Sequence, residues 1–112
     1  MSPITTHVLD TTCGKPAQGV PVVLERLIGS AWKELSKKTT NADGRVADLL
    51  AEGAKLDAGT YRLTFDTGAY FKGLKTKSFY PSVAVVFEIE DSSHYHVPLL
   101  LSPFGYSTYR GS

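Results

Sequence analysis

Cysteine is nearly missing from this chain: Cys13 is the single one among 112 residues. No internal disulfide can form, and no Cys-based zinc pattern exists. Nowhere do about 18 apolar residues follow one another, the length a membrane-crossing helix needs. Charge of one sign is also lacking, since 12 Lys and Arg face 11 Asp and Glu spread along the sequence. Without a basic stripe there is nothing to hold a phosphate backbone or an anionic lipid surface, so neither nucleic acid nor membrane is expected as a partner. The start, Met1-Ser2-Pro3-Ile4-Thr5-Thr6-His7, has neither the positive charge nor the apolar run of a secretory signal. These absences give the expectation of a soluble, cytoplasmic protein, complete as given. Internal repeats and low-complexity linkers are absent too. A length of 112 residues fits one domain, 1–112, with roughly two-thirds of its surface buried on folding.

What is present is a series of short segments rich in Val, Ile, Thr, Tyr and Phe, separated by Gly, Asp, Asn and Pro clusters. That pattern predicts an all-β sandwich or barrel. Strands are expected over 4–9, 20–28 and 31–39. Asn41-Ala42-Asp43-Gly44 supplies residues that tolerate positive φ, so the chain should reverse there and present Arg45 at a rim. Tyr61, Leu63 and Phe65 alternate with Thr60, Arg62, Thr64 and Asp66, the period-two signature of a half-buried strand. Tyr70, Phe71 and Leu74 at spacings of three and four predict one short helix over 69–77. The segment 82–90 carries apolar residues on both faces and is expected to be a central strand. A last strand, 94–101, puts His94, His96 and Pro98 on one face and Tyr95, Val97 and Leu99 on the other. Pro98 donates no ladder hydrogen bond and should mark an edge or bulge. The tail 104–112 shows no periodicity.

Few polar residues sit where such a fold does not need them. His7 interrupts the β-prone run Thr5-Thr6-His7-Val8-Leu9, where Thr or Val would serve a strand better. His94 and His96, two apart, raise a metal site with His7 as third ligand, but no Cys pair or acidic cluster with ligand spacing joins them. Each of these histidines, taken singly, reads as an ordinary strand histidine, and Arg45 as a solvated cation. The tail Tyr106-Ser107-Thr108-Tyr109-Arg110-Gly111-Ser112 is less ordinary. A chain end normally frays, yet this one gathers aromatics and a guanidinium.

Taken jointly, Thr6-His7-Val8-Leu9-Asp10, Gly14-Lys15-Pro16-Ala17, Asp43-Gly44-Arg45, His94-Tyr95-His96-Val97-Pro98-Leu99 and the closing Tyr109-Arg110-Gly111-Ser112 resemble the transthyretin-related 5-hydroxyisourate hydrolases along essentially the whole chain. The tail is the specific signal, because the transthyretin hormone carriers share the fold and lack it. The resemblance implies a transthyretin-like two-sheet β-sandwich, assembled as a homotetramer, a dimer of dimers, with sites in the channel where dimers face. It implies hydrolysis of 5-hydroxyisourate to 2-oxo-4-hydroxy-4-carboxy-5-ureidoimidazoline in urate degradation, with no metal or organic cofactor required.

The roles implied are a base among His7 and His96, His7 first, with Arg45 and Arg110 as planar donors to an anionic substrate. Tyr109 would hydrogen-bond or stack on the ring, and Ser112 would join the water network. A serine nucleophile at Ser112 or Ser107 lacks the Gly-x-Ser-x-Gly elbow that would hold it. The rival from another class is a transthyretin-like binding module for a small aromatic ligand. His7, Arg45, His96 and the tail together speak against it.

Overall fold

The alternating segments fold as two sheets packed face to face in the computed structural model, which describes residues 2–112. The first sheet holds β1 (Ile4–Asp10), β2 (Lys15–Pro16), β5 (Arg45–Val46), β8 (Tyr95–Ser102) and β9 (Gly105–Thr108). Its order is β2-β1-β8-β9, with β5 also paired to β1. The second holds β3 (Pro21–Ile28), β4 (Ala31–Thr39), β6 (Gly59–Phe65) and β7 (Val83–Ile89) in the order β4-β3-β6-β7. β1 and β8 run parallel, with Thr5 opposite His96 and His7 opposite Pro98. No helix among the described residues is long and apolar enough to cross a membrane.

Alternation decides which residues meet between the sheets. Ile4, Thr6 and Val8 of β1 and Tyr95, Val97 and Leu99 of β8 face Val22 and Leu24 of β3 and Tyr61, Leu63 and Phe65 of β6, all of them buried. Burial of each large apolar side chain contributes about 1.5–3 kcal/mol. An exposed ion pair such as Arg26 with Asp57, 3.1 Å apart, contributes less than about 1 kcal/mol. The core therefore outweighs the surface charges in holding the sandwich. Thr6, the polar member of the inner face, is satisfied because its hydroxyl donates to the Val97 carbonyl at 2.6 Å.

Several expectations are corrected. The helix, α1 (Thr67–Gly73), begins and ends earlier than its apolar spacing predicts. Asp66, assigned to the preceding strand, instead caps it by accepting from the Ala69 N–H, and Lys75 adopts φ 53°, which no helix continues through. β7 is an edge strand, not a central one. Its second apolar face, Ala84 and Val86, lies exposed, with Val86 at 57%, because apolar residues on two faces say nothing about neighbours on two sides.

Pro98 lies in β8, flanked by β1 and β9, so it marks neither a sheet edge nor a bulge. The β8–β9 ladder stops at Leu99 opposite Thr108 and returns only as a bridge between His96 and Gly111. The Pro98 carbonyl takes the Thr108 hydroxyl at 2.7 Å, so its nitrogen, on the same side of the strand, faces the gap where a donor is missing. The tail thus contains a strand, where no periodicity announced one.

Candidate active site

The residues that do not face the core build the site. On β1 these are Thr5, His7 and Leu9, and on β8 they are His96 and Pro98, preceded by His94. They line the outer face of the five-stranded sheet. β5 adds Arg45, which pairs directly opposite His7. Strand register thus assembles His7, Arg45 and His96 on neighbouring strands of one sheet face.

Gly44 delivers Arg45 there. It has φ +72°, and a Cβ on it would lie 2.4 Å from the Val8 carbonyl oxygen. That carbonyl is already committed to the Ala17 N–H at 2.9 Å, while the Gly44 carbonyl accepts from the Val8 N–H at 2.7 Å. Gly44→Ala is expected to destabilise the protein by about 1–2 kcal/mol from the left-handed backbone, and by more through the collision. A lowered denaturant midpoint at unchanged slope measures it.

Around Arg45 and His96 lies an open pocket of about 250 Å³, lined among others by Thr5, Ala47, His94 and Ser112. A larger hollow of about 540 Å³ runs between Asp66 and Pro81 beside α1. It contains no imidazole, so the smaller pocket is where proton-transfer groups converge. The Thr5 hydroxyl oxygen is 2.8 Å from His96 Nδ1 and 3.1 Å from His94 Nε2. Burial holds the His96 imidazole below its ordinary pKa, and Arg45, His7 and His94 push in the same direction against an opposing contact with the Thr5 backbone. Arg45 is exposed, and no carboxylate of the described residues lies in ion-pair range of it. Among the described residues no three His, Cys, Asp or Glu side chains are grouped to hold a metal ion.

The tail closes one side. The Gly111 N–H donates to the His96 carbonyl at 2.8 Å. A Cβ on Gly111 would come within 2.6 Å of His96 Cδ2, so only glycine lies this flat against the ring and leaves Ser112 at the pocket. Tyr109 and Arg110 go elsewhere. They border a hollow of about 400 Å³ shared with β7, Tyr95 and Val97. The Arg110 guanidinium stacks 4.2 Å from the Tyr95 ring centroid and donates to Ser93 Oγ at 3.1 Å. Within one chain the expected set therefore divides: His7, Arg45, His96 and Ser112 share the outer face, and Tyr109 and Arg110 do not reach it.

Sequence reasoning left Thr5 out and kept His94 only as a metal possibility. Period two already put Thr5 on the face of His7. Its partner strand, and hence its contact with two imidazoles, follows from the β1–β8 pairing across 91 positions.

Residues 4–111 match the model of the HIUase/Transthyretin family. The 5-hydroxyisourate hydrolase of Mesorhizobium japonicum is 52% identical, over 97% of this chain and 91% of that protein. The solved structure of the Klebsiella pneumoniae 5-hydroxyisourate hydrolase superposes with TM-score 0.86 at 44% identity, covering 97% of this chain and 98% of that one. Sea bream transthyretin in complex with thyroxine superposes with TM-score 0.92 at 32% identity, covering 98% and 95%. Hydrolase and carrier backbones fit this chain alike, so side chains have to distinguish them.

Proposed function

This chain belongs to the HIUase/transthyretin family and hydrolyses 5-hydroxyisourate, and from that premise we propose that His7, Arg45, His96 and Ser112 carry the reaction on the outer sheet face. The observation behind the assignment is one pocket flanked by an imidazole held towards its neutral form and a guanidinium without a carboxylate partner among the described residues. Water attacks a ring carbonyl, a C–O bond forms and the ring C–N bond breaks.

His96 takes the water proton through Nε2, the nitrogen left free by Thr5, and returns it to the leaving nitrogen. This reverses the order of choice drawn from sequence, where His7 came first, because His96 is the imidazole whose surroundings oppose its charging. His7, opposite Arg45, hydrogen-bonds the substrate. Arg45 faces the oxygen on which negative charge develops, and Ser112 joins the water network. Arg110, stacked on Tyr95, clamps the tail in place, and Tyr109 borders the separate hollow beside β7. The carrier reading needs a site that holds an aromatic ligand unchanged, and it gives no use to a neutral imidazole beside a free cation.

The test is to generate the substrate in place from urate with urate oxidase and follow its ultraviolet decay. Decay no faster with the protein than without it sinks the hydrolase reading.

We also propose one domain spanning 1–112, assembled as a homotetramer. The strands of the two sheets interleave along the sequence, so neither sheet is a separate stretch of chain. Edge strands β7 and β9 expose Val86 at 57% and Tyr106 at 44%, and apolar edges of this kind invite pairing with a second copy. The open outer-face site then gains a cover when dimers meet. Val86→Glu is expected to shift sedimentation to smaller species, and an unchanged tetramer would refute edge pairing at β7. The exposed thiol of Cys13 suits a reducing compartment, and we assign the protein to the cytoplasm on that basis.

A further inference from the structure

One hydroxyl serves two imidazoles at this site. Thr5 Oγ1 lies 2.8 Å from His96 Nδ1 and 3.1 Å from His94 Nε2, and the two rings lie nearly parallel, 6.4 Å between centroids. A threonine hydroxyl has one proton to donate and lone pairs to accept. Were both imidazole nitrogens to donate, the hydroxyl proton would have no acceptor among the described contacts of Thr5 Oγ1, so the satisfied arrangement has one nitrogen donating to Thr5 and the other accepting from it. When His94 carries a proton, its Nε2–H must donate. Thr5 then donates to His96 Nδ1, and neutral His96 holds its own proton on Nε2. When His94 is neutral with its proton on Nδ1, Thr5 can donate to His94 Nε2. His96 then keeps its proton on Nδ1 and presents a bare Nε2.

We propose that Thr5 and His94 are positioning residues of this site: the shared hydroxyl ties the tautomer of His96 to the protonation of His94. A neutral His94 with its proton on Nδ1 gives the pocket a base at His96 Nε2, and a protonated His94 gives it an N–H donor. The inference rests on the hydrolase reading for its meaning in catalysis, but the tautomer coupling can be measured without substrate. The other titratable or charged groups around the pair are His7 on β1, Arg45 on β5, Asp91 before β8, which accepts from the Tyr95 hydroxyl, and Arg110, whose Nη2 is 3.4 Å from the His94 carbonyl oxygen. None of them bridges the two rings as Thr5 does.

Long-range ¹H–¹⁵N correlation spectra of the full-length labelled protein report which ring nitrogen of each histidine bears its proton. In the wild type, acidification that protonates His94 is expected to move the His96 proton from Nδ1 to Nε2. In Thr5→Val, which keeps the shape of the side chain, His96 should no longer follow His94, and Thr5→Ser should restore the coupling. His94→Phe, at a half-exposed position, should leave the His96 tautomer without that pH response, and it serves if Thr5→Val does not fold. Thr5→Val is also expected to lower kcat about 10- to 100-fold, part of the range of acid–base catalysis, with KM little changed.

The proposal is overturned if His96 still follows His94 in Thr5→Val, or if Thr5→Ser loses as much kcat as Thr5→Val. A wild type that fails to speed substrate decay overturns the hydrolase reading instead, and the spectra still decide the coupling.

Discussion

His96→Asn is expected to lower kcat by about 10²- to 10⁴-fold, the range a positioned general acid–base group contributes. Asparagine retains a polar group near the Thr5 hydroxyl but takes no proton, so the change isolates proton transfer from hydrogen bonding. Stability should hardly move. His96 sits half-buried on the outer face, and its replacement opens no cavity in the core that Val97 and Leu99 fill. Single-turnover decay of enzymatically generated substrate, with denaturant midpoints taken in parallel, measures both quantities. Turnover within about fivefold of wild type would move the base from His96 to His7.

Arg45→Ala is expected to cost about 10²- to 10³-fold in kcat, as the loss of one donor at a developing oxyanion does. It should also move the acid limb of the kcat/KM profile. The sign follows from charge: Arg45 opposes protonation of His96, whose pKa lies below the ordinary 6.5. The neutral base therefore persists to lower pH with Arg45 in place, and the part of the acid limb set by the charging of His96 itself follows that depressed value. Removing the cation raises the pKa of His96 and brings the limb to higher pH. Arg45→Lys separates the two effects. It restores a positive charge and so the position of the limb, but not the planar fork, so kcat recovers only in part. A limb that stays put in Arg45→Ala would show that the Arg45 charge does not set the acid limb.

Much of this was legible in the sequence because the pattern is local. Alternation in 60–66 gave β6 its inner face, Asp43-Gly44 gave the reversal that exposes Arg45, and the joint occurrence of His7, Arg45, His96 and the closing tetrapeptide gave the family that the similarities bear out. The same local reading missed where lateral neighbours decide. Apolar residues on both faces made 82–90 look central, yet β7 ends a sheet and leaves Val86 exposed. Pro98 was expected at an edge or bulge and lies between two strands, with the ladder to β9 broken instead.

By itself the sequence determined the all-β class and the inner face of strands such as 60–66, since side-chain period is written residue by residue. The two-sheet sandwich and the proposed reactive set came from the family resemblance of the joined motifs. Tertiary structure alone decided that Thr5 lies against His94 and His96, that Arg45 stands opposite His7, and that Arg110 turns to Tyr95 and away from the pocket. Those contacts join residues up to 91 positions apart. Strand register creates them, and register is a property of paired strands that no single segment carries.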